Sequence, residues 1–135
     1  MDEKQQELMF RLSSYEQQIS HMQQQLEAIE QAIAEMISLK QGLEELKGSE
    51  GKEIFAPMGK GIFTRAKLIS EDLLVDVGCK NFVKKNIPDA KKLIDAQIKK
   101  LEEIKKEFQE NLEKISEEIT QTIIEAQKLE EKRGN

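Results

Sequence analysis

The residue types that could carry chemistry are few here, and the spacing of each argues against a reactive site. Gly48-Ser49-Glu50-Gly51-Lys52 has the glycines and the lysine of a phosphate-binding loop, whose backbone N–H groups cradle an anion. Two residues rather than four separate its glycines, however, and neither Ser nor Thr follows Lys52 to hold a magnesium ion. Gly59-Lys60-Gly61 is too short for a dinucleotide fingerprint and reads as a hairpin turn. His21 has no second His or Cys nearby with which to share a metal. Cys79 sits in a turn without a His partner to activate it as a nucleophile. The many Glu residues follow helical spacing on wet faces, and paired catalytic carboxylates would need a cleft. The expectation is no enzyme: no catalytic residue, no metal ligand and no cofactor site.

Composition indicates what kind of element carries these residues. Charged residues make up 35% of the 135 positions, aromatic residues only 4%, and Trp is absent. Such a mixture suits long exposed helices with a narrow apolar seam rather than a globule with a large core. The length suits one domain, spanning 1–135. A net charge of −5 argues against nucleic acid as a partner, because phosphate rewards clustered positive charge. The lysine pairs Lys84-Lys85, Lys91-Lys92 and Lys99-Lys100 alternate with Glu and Asp and read as a solvated helix face. One cysteine cannot form an internal disulfide, which suits a reducing cytosol. No apolar run approaches the length needed to cross a bilayer, so no membrane partner is expected and the location reads as cytoplasmic.

Residues 3–47 read as one helix. Apolar residues from Leu12 through Tyr15, Ile19, Met22, Leu26, Ile29 and Ile33 to Met36 recur in steps of 3 and 4, the heptad signature of a helix paired with another. Asp2 and Gln5 have the spacing of an N-terminal capping box, and Gly48 is the expected stop. Residues 88–131 repeat the pattern through Ile94, Ile98, Leu101, Phe108, Leu112, Ile115, Ile119, Thr122, Ala126 and Leu129, with Lys105 filling one seam position. Pro88 and Asp89 suit a first helical turn. Placing each residue i opposite 134 − i aligns nearly every layer, with Ile19 on Ile115 and Leu26 on Phe108. It also starts both helices at one level. The expected fold class is mainly α with small β: a long antiparallel coiled-coil hairpin, roughly 65 Å at 1.5 Å per residue.

Residues 49–87 read as two β-hairpins. The runs Glu53–Met58, Ile62–Ile69, Leu73–Gly78 and Asn81–Ile87 are separated by turn-forming clusters. Pro57 demotes the first run to an edge strand or marks its end. Four short strands cannot close a barrel, and both helices are committed to each other, so nothing remains to cover the sheet edges. Ile62, Phe63, Leu68, Leu73, Val75, Val77 and Phe82 also exceed what one small sheet buries. An obligate oligomer assembled through this segment follows.

This order of parts resembles the alpha class of prefoldin, whose beta class carries a single hairpin. Ala56-Pro57-Met58-Gly59-Lys60-Gly61-Ile62-Phe63 looks like the family's proline, Gly-x-Gly turn and second strand. Leu74-Val75-Asp76-Val77-Gly78 and Phe82-Val83-Lys84-Lys85 resemble its third and fourth strands, and Asp89-Ala90 fits its helix start. Asn81 departs from the pattern where the family often has a second glycine; Asn tolerates positive φ, so the turn is expected to survive. The resemblance implies a hexamer of two alpha and four beta-type subunits, with the strands forming a double β-barrel platform from which six arms hang. It also implies capture of non-native client proteins at the arm tips and delivery to a group II chaperonin without nucleotide.

The tip of the arm lies where the termini meet. Beside the seam residues Leu8 and Leu12, Met9 and Phe10 fall off the heptad, as do Ile123 and Ile124 on the second helix. Exposed apolar residues mark an interaction surface, and these are the expected client contacts; the competing reading is a local cluster that only tightens the helix ends. Two other functions fit the same pattern. One is a structural coiled-coil adaptor or tether with one specific partner. The other is a filament-forming homo-oligomeric relative.

Overall fold

The computed structural model describes residues 2–134, and the side chains of residues 2–132. Met1 and Asn135, the two ends of the single domain expected from the sequence, lie outside the described residues. The elements are α1 (Glu3–Leu46), β1 (Glu53–Gly59), β2 (Ile62–Lys67), β3 (Leu73–Asp76), β4 (Phe82–Lys85) and α2 (Ile87–Gly134). They fall into two compact units. A terminal unit joins Met1–Ala32 to Leu101–Asn135, and a strand unit spans Ile33–Lys100.

Both helices begin on side-chain caps. The Asp2 carboxylate accepts the Gln5 N–H at 2.8 Å, and the Asn86 side-chain oxygen accepts the Asp89 N–H at 2.8 Å. Each cap satisfies an amide that the first helical turn leaves without a carbonyl. Asn86 is the N-cap that the sequence reading passed over, and it moves the start of α2 back to Ile87, ahead of Pro88. β4 accordingly ends at Lys85 rather than running on to Ile87. α1 ends as expected: Gly48 takes a φ of 73°, and the Ser49 N–H returns to the Leu46 carbonyl.

In the terminal unit the seam is occupied with the expected periodicity. Leu12, Tyr15, Ile19, Met22, Leu26 and Ile29 are half-buried, and so are Leu101, Lys105, Phe108, Leu112, Ile115 and Ile119, while the residues between them are largely exposed. Leu8 and Thr122 are the most buried side chains here, each only 3% exposed. Cross-helix ion pairs report the register. Glu30 meets Lys105 at 3.6 Å and Arg11 meets Glu125 at 3.8 Å, so partner numbers add to 135 and 136, close to the 134 derived from the seam. Lys105 occupies its seam position with its stem half-buried and its ammonium turned to Glu30. This geometry lets a lysine share an apolar groove without losing its charge to the interior.

In the strand unit the same pairing continues between the end of α1 and the start of α2. Lys40 and Asp95 bond at 2.7 Å, and Lys91 pairs with Glu44. Lys40 is half-buried and supplies the 4–3 step between Met36 and Leu43, a second seam lysine hidden in the sequence by the gap in the apolar pattern. The best-formed core of the chain lies here. Leu43, Ile87, Ala90 and Ile94 are buried together, with Met36, Leu46, Leu73 and Ile98 packed around them. Leu73 thus ties β3 to the helix pair.

The four strands form two separate antiparallel pairs, β1 with β2 and β3 with β4, rather than one sheet. In the first, Glu53 pairs with Lys67 and Pro57 with Phe63, and a bulge between Pro57 and Gly59 passes over Met58. Pro57 is tolerated because a two-stranded ribbon has only edges. Lys60 and Gly61, with φ of 52° and 80°, make the tight turn whose twist matches the flanking strands. In the second pair, Leu73 lies opposite Lys85 and Asp76 opposite Phe82. Its turn corrects the sequence reading. The residues with positive φ are Gly78 (129°), Cys79 (51°) and Lys80 (62°), not Asn81, whose N–H and carbonyl instead close the turn onto Gly78 and Val77.

An exposed residue beside the seam and the strand-side core should respond differently to truncation. Ile87→Ala, at a site 2% exposed, should cost about 2–4 kcal/mol in urea unfolding. Ile104→Ala, at a site 41% exposed, should cost less than about 1 kcal/mol. Equal costs would contradict the placement of the core beside β3.

Candidate interaction sites

The loop that superficially resembles a phosphate cradle spends its amides on the chain itself. The Gly48 N–H donates to the Glu71 carboxylate at 3.1 Å, Ser49 to Leu46, Gly51 to the Leu68 carbonyl at 2.6 Å and Lys52 to Ser49. Leu68 donates back to the Lys52 carbonyl at 3.0 Å, so the segment extends the β1–β2 ladder and joins it to the helix end. An anion would have to displace these bonds. His21 and Cys79 are both exposed.

The strand unit presents apolar side chains to solvent. Of the residues singled out in the sequence, Ile62, Phe63, Val77 and Phe82 are exposed, whereas Leu68, Leu73 and Val75 are half-buried. Along β3 the alternation is plain: Leu73 and Val75 turn inward while Leu74 and Asp76 turn outward. Phe55, Met58, Ile69, Leu74 and Val83 are exposed in the same unit and were not singled out. For Phe55, Leu74 and Val83 the signal was present in the two-residue alternation of their strands, which places apolar residues on both faces, whereas Met58 falls in the bulge and Ile69 beyond β2. A ribbon of two strands cannot bury two faces. Each hairpin also leaves an open hydrogen-bonding edge on either side.

The terminal unit carries a second apolar surface. Met9, Phe10, Ile123 and Ile124 are all exposed, Phe10 by 77%, and neither Met9 nor Phe10 folds over the helix ends. Leu8 is buried and Leu12 half-buried in the seam beneath them. With Leu8 and Thr122 filling the seam, the off-heptad residues have no place inside it. Thr122 is accommodated by donating its hydroxyl to the Glu118 carbonyl one turn earlier, at 2.8 Å. An open groove of about 420 Å³ runs alongside, lined in part by Arg11, Tyr15, Glu118, Gln121 and Glu125. The Tyr15 hydroxyl donates to the Glu118 carboxylate across the helix pair. That bond, with smaller contributions from desolvation and the Glu118 charge, raises the Tyr15 pKa above its ordinary 10.0.

Comparison with known proteins bears on what these surfaces do. The Prefoldin subunit family profile matches residues 15–132. This chain belongs to the prefoldin family. It is 32% identical over 124 residues to the prefoldin subunit alpha of Methanobrevibacter smithii, covering 91% of this chain and 85% of that one. It is 26% identical over 132 residues to the prefoldin subunit alpha of Methanosphaera stadtmanae, covering 98% and 96%. Among solved structures, a chain of filamentous PFD from Methanocaldococcus jannaschii shares the fold, with a TM-score of 0.51 and 21% identity over 93% of this chain and 99% of that one. The resemblance to alpha-class prefoldin drawn from the strand motifs therefore holds, as does the fold class of two long helices with two small hairpins. Prefoldin is a chaperone family, and no helix among the described residues is long and apolar enough to cross a membrane.

The Tyr15–Glu118 bond gives the terminal unit a pH signature. A folded-state pKa above the unfolded value means that the bond's contribution is fully present below pH 10. It is lost as pH rises through the raised pKa. Tyr15→Phe should therefore lose part of the fall in melting temperature seen for the unaltered chain above pH 10, measured by circular dichroism. Identical pH profiles would show that the bond contributes nothing to the fold.

Proposed function

We propose that this chain is an ATP-independent holdase subunit that captures unfolded polypeptides at the ends of its paired helices. The observation that carries the reading is the set of four off-heptad apolar residues, Met9, Phe10, Ile123 and Ile124, standing in water on a prefoldin-family chain. Leu8 and Leu12 complete the surface from below, becoming available where the helix ends fray. A flexible thioether and a phenyl ring on such an end can adapt to many client shapes. Each tip binds weakly, and several arms acting on one client raise the effective concentration.

Several tips require an assembly, and the strand unit is its proposed seat. Ile62, Phe63, Leu68, Leu73, Val75, Val77 and Phe82 pair with strands of other subunits to build part of an oligomeric β-barrel, which satisfies the open edges and hides the apolar faces together. The partners are prefoldin beta-type subunits in a two-alpha, four-beta hexamer, and the captured client passes to a group II chaperonin in the cytoplasm. The chain acts as one prefoldin-type domain, with residues 3–47 and 88–131 as the arm and 49–87 as the oligomerisation segment. No catalysis is assigned to it. A second reading has one specific observation in its favour, the shared fold with a chain from a filamentous PFD: open-ended assembly of this chain alone. The mass of the complex formed with and without a beta-type partner separates the two.

The client surface is tested by Met9→Ser, Phe10→Ser, Ile123→Ser and Ile124→Ser together. The expected result is an assembly of unchanged mass whose suppression of aggregation of several unrelated denatured proteins falls severalfold, with no effect on their native forms. Undiminished suppression by a correctly assembled variant would reject the assignment.

A further inference from the structure

The two units differ in charge as well as in surface. The terminal unit holds 16 Asp and Glu against 8 Lys and Arg, a net charge of −8; the strand unit holds 10 against 13, a net charge of +3. The acidic excess extends to the apolar tip. Residues seven apart share a helix face at about 10 Å, and at that spacing each exposed apolar residue has a carboxylate for a neighbour. Glu16 follows Met9, Glu3 precedes Phe10, Glu130 follows Ile123, and Glu117 and Glu131 bracket Ile124. All five carboxylates are exposed, and among the described residues none of them takes part in an ion pair. Arg11 is already paired with Glu125, and Lys4, Lys128, Lys132 and Arg133 are the other cations that the sequence places in these turns.

From this placement we infer that the tip selects among unfolded chains by charge: it takes apolar segments flanked by Lys or Arg in preference to those flanked by Asp or Glu. The inference rests on the reading of the tip as the client surface and adds the chemistry of the client. The geometry matches a simple motif. An extended peptide rises about 3.3 Å per residue, so a cation three positions from an apolar anchor lies about 10 Å away, over the carboxylate one heptad from the anchor's site. That distance is close to the Debye length at about 0.1 M salt, so the attraction acts at low ionic strength and fades as salt rises. An acidic surface also repels the carboxylate-rich exteriors of most folded acidic proteins, which adds discrimination against native chains.

The test uses the full chain in its assembled complex and two fluorescein-labelled unstructured peptides. Both carry the same Phe and Leu anchors, with either Lys or Glu three positions to each side, and binding is followed by anisotropy. In low salt the Lys peptide should bind about tenfold more tightly, the sum of several exposed charge pairs, and the difference should shrink to about twofold or less in 0.5 M salt. Glu117→Gln with Glu131→Gln should cut the preference about threefold. Glu45→Gln with Glu50→Gln, which removes equal charge from the strand unit, should leave it intact. Equal affinities for the two peptides at low salt, both abolished by the four tip serines, would overturn charge selection and leave the client surface standing. If neither peptide binds, both readings fall. A preference lowered equally by the two glutamine pairs would assign it to overall charge and overturn the role of the tip.

Discussion

The structure depends on one constraint: each long helix buries a stripe only two residues per heptad wide, and the other helix is what buries it. A stripe that narrow leaves most of each helix in water, which is why more than a third of the chain is charged and why the seam side chains are half-buried rather than enclosed. It also consumes both helices. A helix turned toward its partner along its whole apolar stripe has no second face with which to cover a sheet. The hairpins between the helices are therefore left largely bare by the same pairing that holds the helices, with Leu73 packed on the Leu43, Ile87, Ala90 and Ile94 cluster.

Polar residues within the stripe show how little tolerance such a seam needs. Lys40 and Lys105 each occupy a seam position, and each resolves the conflict by running its stem along the groove and presenting its ammonium to a carboxylate on the opposite helix. Thr122 resolves it by bonding back to its own helix. Neither lysine is enclosed deeply enough to require desolvation of a full charge, the expense that makes buried ion pairs poor stabilisers in globular cores. These positions cost apolar area, but they keep the register: an acidic partner at Asp95 or Glu30 fits a lysine at one alignment and not at the next.

What the sequence revealed, and what it concealed, follows from how local each signal is. Heptad phase is local and repeated, so the seam from Leu12 to Met36 and from Ile94 to Leu129 could be read residue by residue, Lys105 included. Lys40 was missed because a lysine between Met36 and Leu43 looks like an interruption until a partner carboxylate is placed beside it. Asn86 was overlooked as a cap because Pro88 and Asp89 already suggested a start one residue later. The positive φ at Cys79 and Lys80 had no signature, since neither residue type favours that conformation; the tight turn imposes it, and Asn81 only closes the bonds. In the hairpin segment, Phe55, Met58, Ile69 and Leu74 were passed over because the exposure of a side chain depends on what packs against it, which no local pattern states. A two-stranded ribbon by itself cannot cover both of its faces. The comparisons with alpha-class relatives strengthen the family reading that the strand motifs carried, and the exposures define which surfaces remain to be filled.

The two apolar surfaces differ in the means by which each could be covered, and the difference separates assembly from capture. The hairpins offer open backbone edges beside their apolar side chains, so a partner must supply a strand in register; such pairing is directional and selects one type of neighbour. The helix ends offer no unpaired ladder. Around Met9, Phe10, Ile123 and Ile124 the backbone is already bonded within its own helices, and only side chains face outward. A surface without backbone demands accepts any chain that brings apolar groups, and the interaction stays weak because no hydrogen-bond pattern fixes it. Directional pairing at the hairpins thus suits a permanent junction, and undirected contact at the helix ends suits a client that must be released. The carboxylates around the tip add the one preference available to a surface that has given up shape: the sign of the charge beside each anchor.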